Sequence, residues 1–171
     1  MVTSPDQPTP VLTVTGGPPA VGPSGVLAAC DGSDGSLWAL ERAMTEAELF
    51  RLPLYVLAVV NPSPVGYPPG MAELVRESVE QLVESMADGL RRSVAAVQRA
   101  RSRPYEGELA LHVVLGNVIE VLLASAVSQH TLVVGTRGNG GFNRLLLGSV
   151  STAAVHHAAC PVLVVPPPPA R

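Results

Sequence analysis

The chain predicts an α/β fold, a single domain on an open, mostly parallel sheet of five strands with helices on both faces. Three observations carry this. Short apolar runs alternate with segments of helical periodicity from about residue 25 to residue 166. At 171 residues and 47% hydrophobic side chains, with a mean hydropathy of +0.32, the chain is large enough for one real core and too short for two. Finally, the stretch GTRGNGGFNRLLLGSVS at residues 135–151 joins a glycine loop to a helix start, a combination that lets backbone amides approach an anion.

Taken in order, residues 1–24 are rich in Pro, Thr and Gly and poor in periodic apolar positions, which predicts a flexible tail. VLTV at 11–14 has strand composition, but Pro10, Gly16 and Gly17 bracket it so closely that it is read with the tail. GVLAAC at 25–30 is the first strand, stopped by DGSDGS, a turn in which Asp34 or Ser33 caps a helix. Leu37, Leu40, Ala43, Met44 and Ala47 then recur at helical spacing, and LPLYVLAVV at 52–60 is the second strand. The loop NPSPVGYPPG at 61–70 is too long for a tight turn, and such loops after strands often border sites.

Met71, Leu74, Val75, Val79, Leu82, Val83, Met86 and Leu90 trace one face of a long helix, with Glu73, Arg76, Glu77, Glu80 and Glu84 on a solvated opposite face. ELALHVVL at 108–115 is the third strand, and Asn117 with Glu120 forms a capping-box pattern that opens a helix running through Ala126. TLVVG at 131–135 is the fourth. Beyond the glycine loop, a helix from about Ser149 leads to CPVLVV at 160–165, the fifth strand. The four prolines at 166–169 cannot continue a ladder and end the fold, leaving 167–171 as a C-terminal tail.

Composition narrows the chemistry. The net charge is −3 and the pI is near 5.8, so no basic surface advertises nucleic acid. All eleven positive side chains are arginine. With no lysine, a Walker-type phosphate loop, a protein-kinase lysine and a Schiff-base mechanism are excluded. Two cysteines, Cys30 and Cys160, make no disulfide framework and fit a reducing cytoplasm. No apolar run approaches the roughly 18 residues that span a bilayer, and the start of the chain lacks signal-peptide order, so no membrane partner is expected. Adjacent His156 and His157 point in different directions on a helix and, with Cys160, make an incomplete zinc set. Cys160 reads as a small packed hydrophobe, and Cys30 carries a weak flag for redox sensitivity.

The spacing Gly135, two residues, Gly138, nine residues, Gly148-Ser149 resembles the G-2x-G-9x-G-[ST] nucleotide signature of the universal stress protein family. GGFNRLLLGSVS, the following HAACPVLVV, and Asp31-Gly32-Ser33 after the first strand are similar to that family as well, so the resemblance covers residues 25–166. It implies an adenine nucleotide alpha hydrolase-like sheet of order 3-2-1-4-5, which sets the ends of the first and fourth strands side by side at the switch point, where such sheets bind ligands. Matched residue by residue, it implies that Gly135 and Gly138 allow backbone approach to ribose and phosphate. Gly148, Ser149, Val150 and Ser151 would supply amides and hydroxyls to the phosphates. Val59 and Val134 would line the adenine, with Ala29 nearby and Ser33 part of the opening motif.

Asp31 either accepts from adenine or ribose, approaches a divalent ion bridging the phosphates, or simply bonds the backbone of its own turn. Arg137 and Arg144 are the cations of the loop, either able to take a phosphate in bidentate fashion; the alternative for Arg144 is to carry its head to solvent above an apolar stem. The expectation is therefore a cytoplasmic, ATP-binding regulator of stress response, with Mg2+ beside the phosphates, that works as a binding module. The last strand, Val162–Val165, has no strand after it, and antiparallel pairing of two such edges would give a homodimer, as the resemblance also implies. A slow ATP-hydrolysing enzyme and a nucleotide-free dimeric scaffold are the alternatives: no clear catalytic base accompanies the glycines, and the intact glycines argue against loss of binding.

Overall fold

The computed structural model describes residues 11–15, 22–61, 72–138 and 147–168. Its elements are β1 (Val11–Thr15), β2 (Val26–Ala29), α1 (Asp34–Phe50), β3 (Leu54–Val60), α2 (Ala72–Ala100), β4 (Leu109–Leu115), α3 (Val118–Ala126), β5 (Thr131–Gly135), α4 (Ser149–His157) and β6 (Val162–Val165). They form one six-stranded sheet of order β1-β4-β3-β2-β5-β6. Every neighbouring pair is parallel. The five expected strands occupy the expected relative order, and a sixth is added.

The sixth strand corrects the reading of the N-terminal stretch. Residues 11–15, assigned to a flexible tail at 1–24, pair along their whole length with 110–114 of β4. Flanking Pro and Gly limit where such a strand can end, but they do not forbid pairing at an edge, where one side of the strand needs no partner. The remainder of that stretch, 1–10 and 16–21, lies outside the described residues, as does most of the 61–70 loop. The long helix also runs further than its clearest apolar stripe, to Ala100 rather than Leu90. Val94 and Val97, both buried, continue the same face.

Period-two alternation sends strand side chains to two cores. On one face, Val26, Ala28, Val56, Leu111 and Val113 meet Leu40 and Met44 of α1 and Leu90 and Val94 of α2. On the other, Leu27, Leu57, Val114, Leu132 and Val134 meet Val121 and Leu122 of α3 and Ala154 of α4. Fully burying one Leu or Met of this kind stabilises by about 1.5–3 kcal/mol, so the two layers hold the sheet ends rigidly. Arg101, just past α2, ties the two helices of the first face together through Glu48 Oε2 at 2.6 Å and Thr45 Oγ1 at 3.2 Å. Both cysteines are free.

Candidate functional site

Strand order reverses between β2 and β5. The chain leaves β2 toward β3 and β4 on one side, then crosses to β5 and β6 on the other, so a crevice opens at the carboxyl ends of β2 and β5. The residues expected at a site gather there. Ala29 ends β2, Val59 stands near the end of β3, and Val134 and Gly135 end β5. Asp31 and Ser33 lie in the turn before α1, Arg137 and Gly138 follow β5, and Gly148 precedes the Ser149, Val150 and Ser151 that open α4.

The turn after β2 is built locally. Gly32 adopts φ +79°, a left-handed conformation that L side chains resist. Asp31 Oδ1 then accepts from the Ser33 N–H at 3.0 Å and from the Ser33 hydroxyl at 2.5 Å. Ser33, rather than Asp34, is the N-cap of α1, its Oγ accepting from Ser36 N. Asp31 thus does serve its own turn. Its other oxygen faces the second half of the crevice: a Cβ placed on Gly138 would fall 2.3 Å from Asp31 Oδ2. Sequence spacing could not bring those two residues together, since 107 positions part them along the chain.

Across the crevice, α4 begins without a cap. Gly148 is its N-cap residue, at φ −75° and ψ 171°, and supplies no side-chain hydrogen bond. The first backbone closure is Thr152 N to Gly148 O at 2.9 Å, so the amides of Ser149, Val150 and Ser151 precede any intrahelical acceptor. The helix start is anchored to β5 by Gly148 N donating to Thr136 O at 2.7 Å. Ser151 Oγ lies 2.9 Å from the same carbonyl and 3.0 Å from Gly148 O. The Ser151 hydroxyl, expected to face phosphate, is buried and holds the helix start in place, while Ser149 is exposed.

Gly135 has a packing role of its own. A Cβ there would meet the Gly35 carbonyl oxygen at 2.7 Å, and a Cβ on Gly35 would meet the Arg137 carbonyl oxygen at 2.5 Å. Two glycines therefore let the first turn of α1 press against the end of β5, whatever ligand is bound. Gly35 and Thr136 are the positions that sequence reasoning missed. The second glycine of DGSDGS was the available signal for Gly35; a carbonyl acceptor such as Thr136 O leaves none. Ala29 and Val59 are partly exposed, and Val134 is buried beside them on the α3–α4 face. The Arg137 side chain is exposed at the mouth; Arg144 lies outside the described residues. Burial pushes the Cys160 thiol up, despite an opposing hydrogen bond from the Leu132 backbone, in keeping with a packed small side chain.

Fold and crevice together define a doubly wound α/β protein with an uncapped helix start at its topological switch point. Residues 25–166 match the Universal stress protein family. The chain belongs to that family. It is 33% identical over 139 residues to a universal stress protein of Methanocaldococcus jannaschii, covering 81% of this chain and 79% of the relative. It is also 32% identical over 140 residues to universal stress protein A homolog 1 of Coxiella burnetii, covering 82% and 94%. A Mycolicibacterium smegmatis universal stress protein is 31% identical over 150 residues, 82% of this chain; there the chain spans about half the length of its relative, 47%.

Among solved structures, UspA of Lactobacillus plantarum superposes with a TM-score of 0.71 at 22% identity, over 83% of this chain and 97% of that one. A universal stress protein in complex with cAMP superposes with a TM-score of 0.52 at 22% identity, over 85% and 98%. No helix among the described residues is long and apolar enough to cross a membrane.

Proposed function

We propose that this protein binds an adenine nucleotide, ATP with Mg2+, in the crevice between β2 and β5, and that occupancy regulates a stress response through a dimeric binding module. The observation that carries the reading is the start of α4, which has no side-chain cap and packs at Gly148 against Thr136 and Arg137, next in the chain to the Gly138 that meets the Asp31 carboxylate. A helix start of this kind attracts phosphate through both its N–H groups and its dipole. Arg137 adds the cation, and the partly exposed Ala29 and Val59, backed by buried Val134, add an apolar wall for the base. The cAMP complex of a structurally similar protein supports an adenine ligand.

Asp31 fits a hard cation, because its carboxylate supplies the oxygen donor that magnesium takes beside phosphates. When bound, the ion would offset phosphate charge. Around it, this chain's residues orient the ligand: Ser33 fixes the Asp31 carboxylate, and Thr136 fixes the helix start. The homodimer would form through β6, which among the described residues is an edge strand paired on one side only, by β5. The free thiols of Cys30 and Cys160 favour a reducing, cytoplasmic setting.

The test is to purify the protein without added nucleotide, identify any co-purified ligand by mass spectrometry, and titrate ATP and cAMP calorimetrically with and without magnesium. Saturable ATP binding is expected; no binding at millimolar ATP overturns the reading. Phosphate release no faster than that of a Gly138→Val control would leave binding as the whole activity. Sedimentation of the full chain tests the dimer.

A further inference from the structure

The strand added at the N-terminal edge covers an unusual residue. His112 sits in the middle of β4, between Thr13 of β1 and Leu57 of β3 in register. It is only 7% exposed, and neither ring nitrogen has a hydrogen-bond partner. A neutral imidazole always carries one donor and one acceptor, so this site leaves both unmet in a buried setting, where almost every polar group in a folded protein is satisfied.

Among the described residues, the surroundings offer no counter-ion. From β3, the Tyr55 ring lies 6.0 Å away between centroids, and its hydroxyl donates to Pro23 O at 3.0 Å. Burial first, and Glu108 second, push that phenol up, so it stays neutral throughout the acid range. Strand β1 has no titratable side chain, and neither does the segment 22–25. Helix α3, on the same face of the sheet, has only Glu120, exposed in its first turn, and Glu108, which precedes β4, is exposed as well. An imidazolium here would be buried without a partner, and burial accordingly lowers the His112 pKa from 6.5.

Of the two strands that flank His112 in register, β3 is held on both sides, by β4 and β2, whereas β1 is held among the described residues on one side by five residues. The cheaper way to hydrate the ring is to release β1. We propose that β1 is an acid-released cap on the edge of β4: protonation of His112 undocks the strand and leaves β4 as an open edge. The sign follows from linkage. The docked state binds fewer protons than the released state, whose wet imidazole titrates near 6.5, so docking is strongest above that pH. It weakens as pH falls below 6.5, by up to about tenfold in the released-to-docked ratio per pH unit until the docked-state pKa is reached.

The experiment is amide hydrogen exchange of the full chain at pH 7.5 and pH 5.0, corrected for intrinsic rates, with β6 as internal reference. Exchange-competent opening of 11–15 should rise more than tenfold at pH 5.0 while β6 does not change, and His112→Leu should keep β1 protected at both values. In parallel, an NMR titration follows the His112 ring in the unmodified chain. Titration of His112 near 6.5 while β1 stays protected overturns the proposal. So does a pH-dependent opening that persists in His112→Leu, or protection of β1 that is the same at both pH values. If the variant fails to fold, the ring titration read beside exchange in the unmodified chain still decides.

Discussion

Helices α3 and α4 pack on the same face of the sheet and are each nine residues long, yet they begin in opposite ways. In α3, Asn117 Oδ1 accepts from Ile119 N at 3.0 Å and Glu120 N at 3.2 Å. Glu120 also places a negative charge in the first turn. That helix answers its own unpaired amides and its own dipole. In α4, Gly148 offers no side chain and no acid follows in the first turn. One helix is complete by itself, while the other leaves its donors directed at the crevice. The difference separates a helix built for stability from one whose start is available to an outside anion.

The comparison breaks most sharply at Gly138. Replacing it with Val puts a Cβ where Asp31 Oδ2 now lies, so the exposed Asp31 carboxylate must turn out of its place in the crevice while the backbone stays. ATP affinity in the Gly138→Val protein is expected to fall roughly tenfold to hundredfold by calorimetry, with far-UV circular dichroism unchanged.

A second substitution makes α4 resemble α3. Gly148 lies at an ordinary φ, and a Cβ there meets Thr136 O at 3.5 Å and the Arg137 Cα at 3.6 Å, which is normal contact. Gly148→Asp therefore fits, caps the helix and fills the anion position with its own carboxylate. Affinity for ATP should drop by about tenfold, or 1.4 kcal/mol. Urea unfolding should show no loss of stability and a gain of a few tenths of a kcal/mol, the usual advantage of Asp over Gly at a cap. A Gly148→Asp protein that binds ATP as tightly as before would remove α4 from the site. The converse change, Asn117→Ala, should cost about 1 kcal/mol of stability and leave ATP affinity unaltered, since the α3 start answers only to itself.

Much of this was legible from local pattern. Leu40, Ala43, Met44 and Ala47 fall at helical spacing and are all buried, and Asn117 caps the helix it was expected to cap. Ser33 shows the limit of such reading: Asp34 was an equal candidate for the cap, and the choice fell to backbone geometry at the turn. Val134 and Ser151 show another, because both were expected to face ligand and both are buried. Strand composition at 11–14 was visible too, but composition alone does not say whether β4 has a free edge to receive it.

The sequence by itself determined the order of β2 to β6 and of the helices between them, the Asn117 start of α3, and the glycine spacing that marks the family, because each depends on residues within a few positions of one another. Only the tertiary structure decided that Asp31 faces Gly138, that Gly35 presses on the end of β5, and that β1 shields an unpartnered His112. Those contacts arise from strand order and register, which bring distant segments together through the burial of two shared cores and leave no mark in the local pattern.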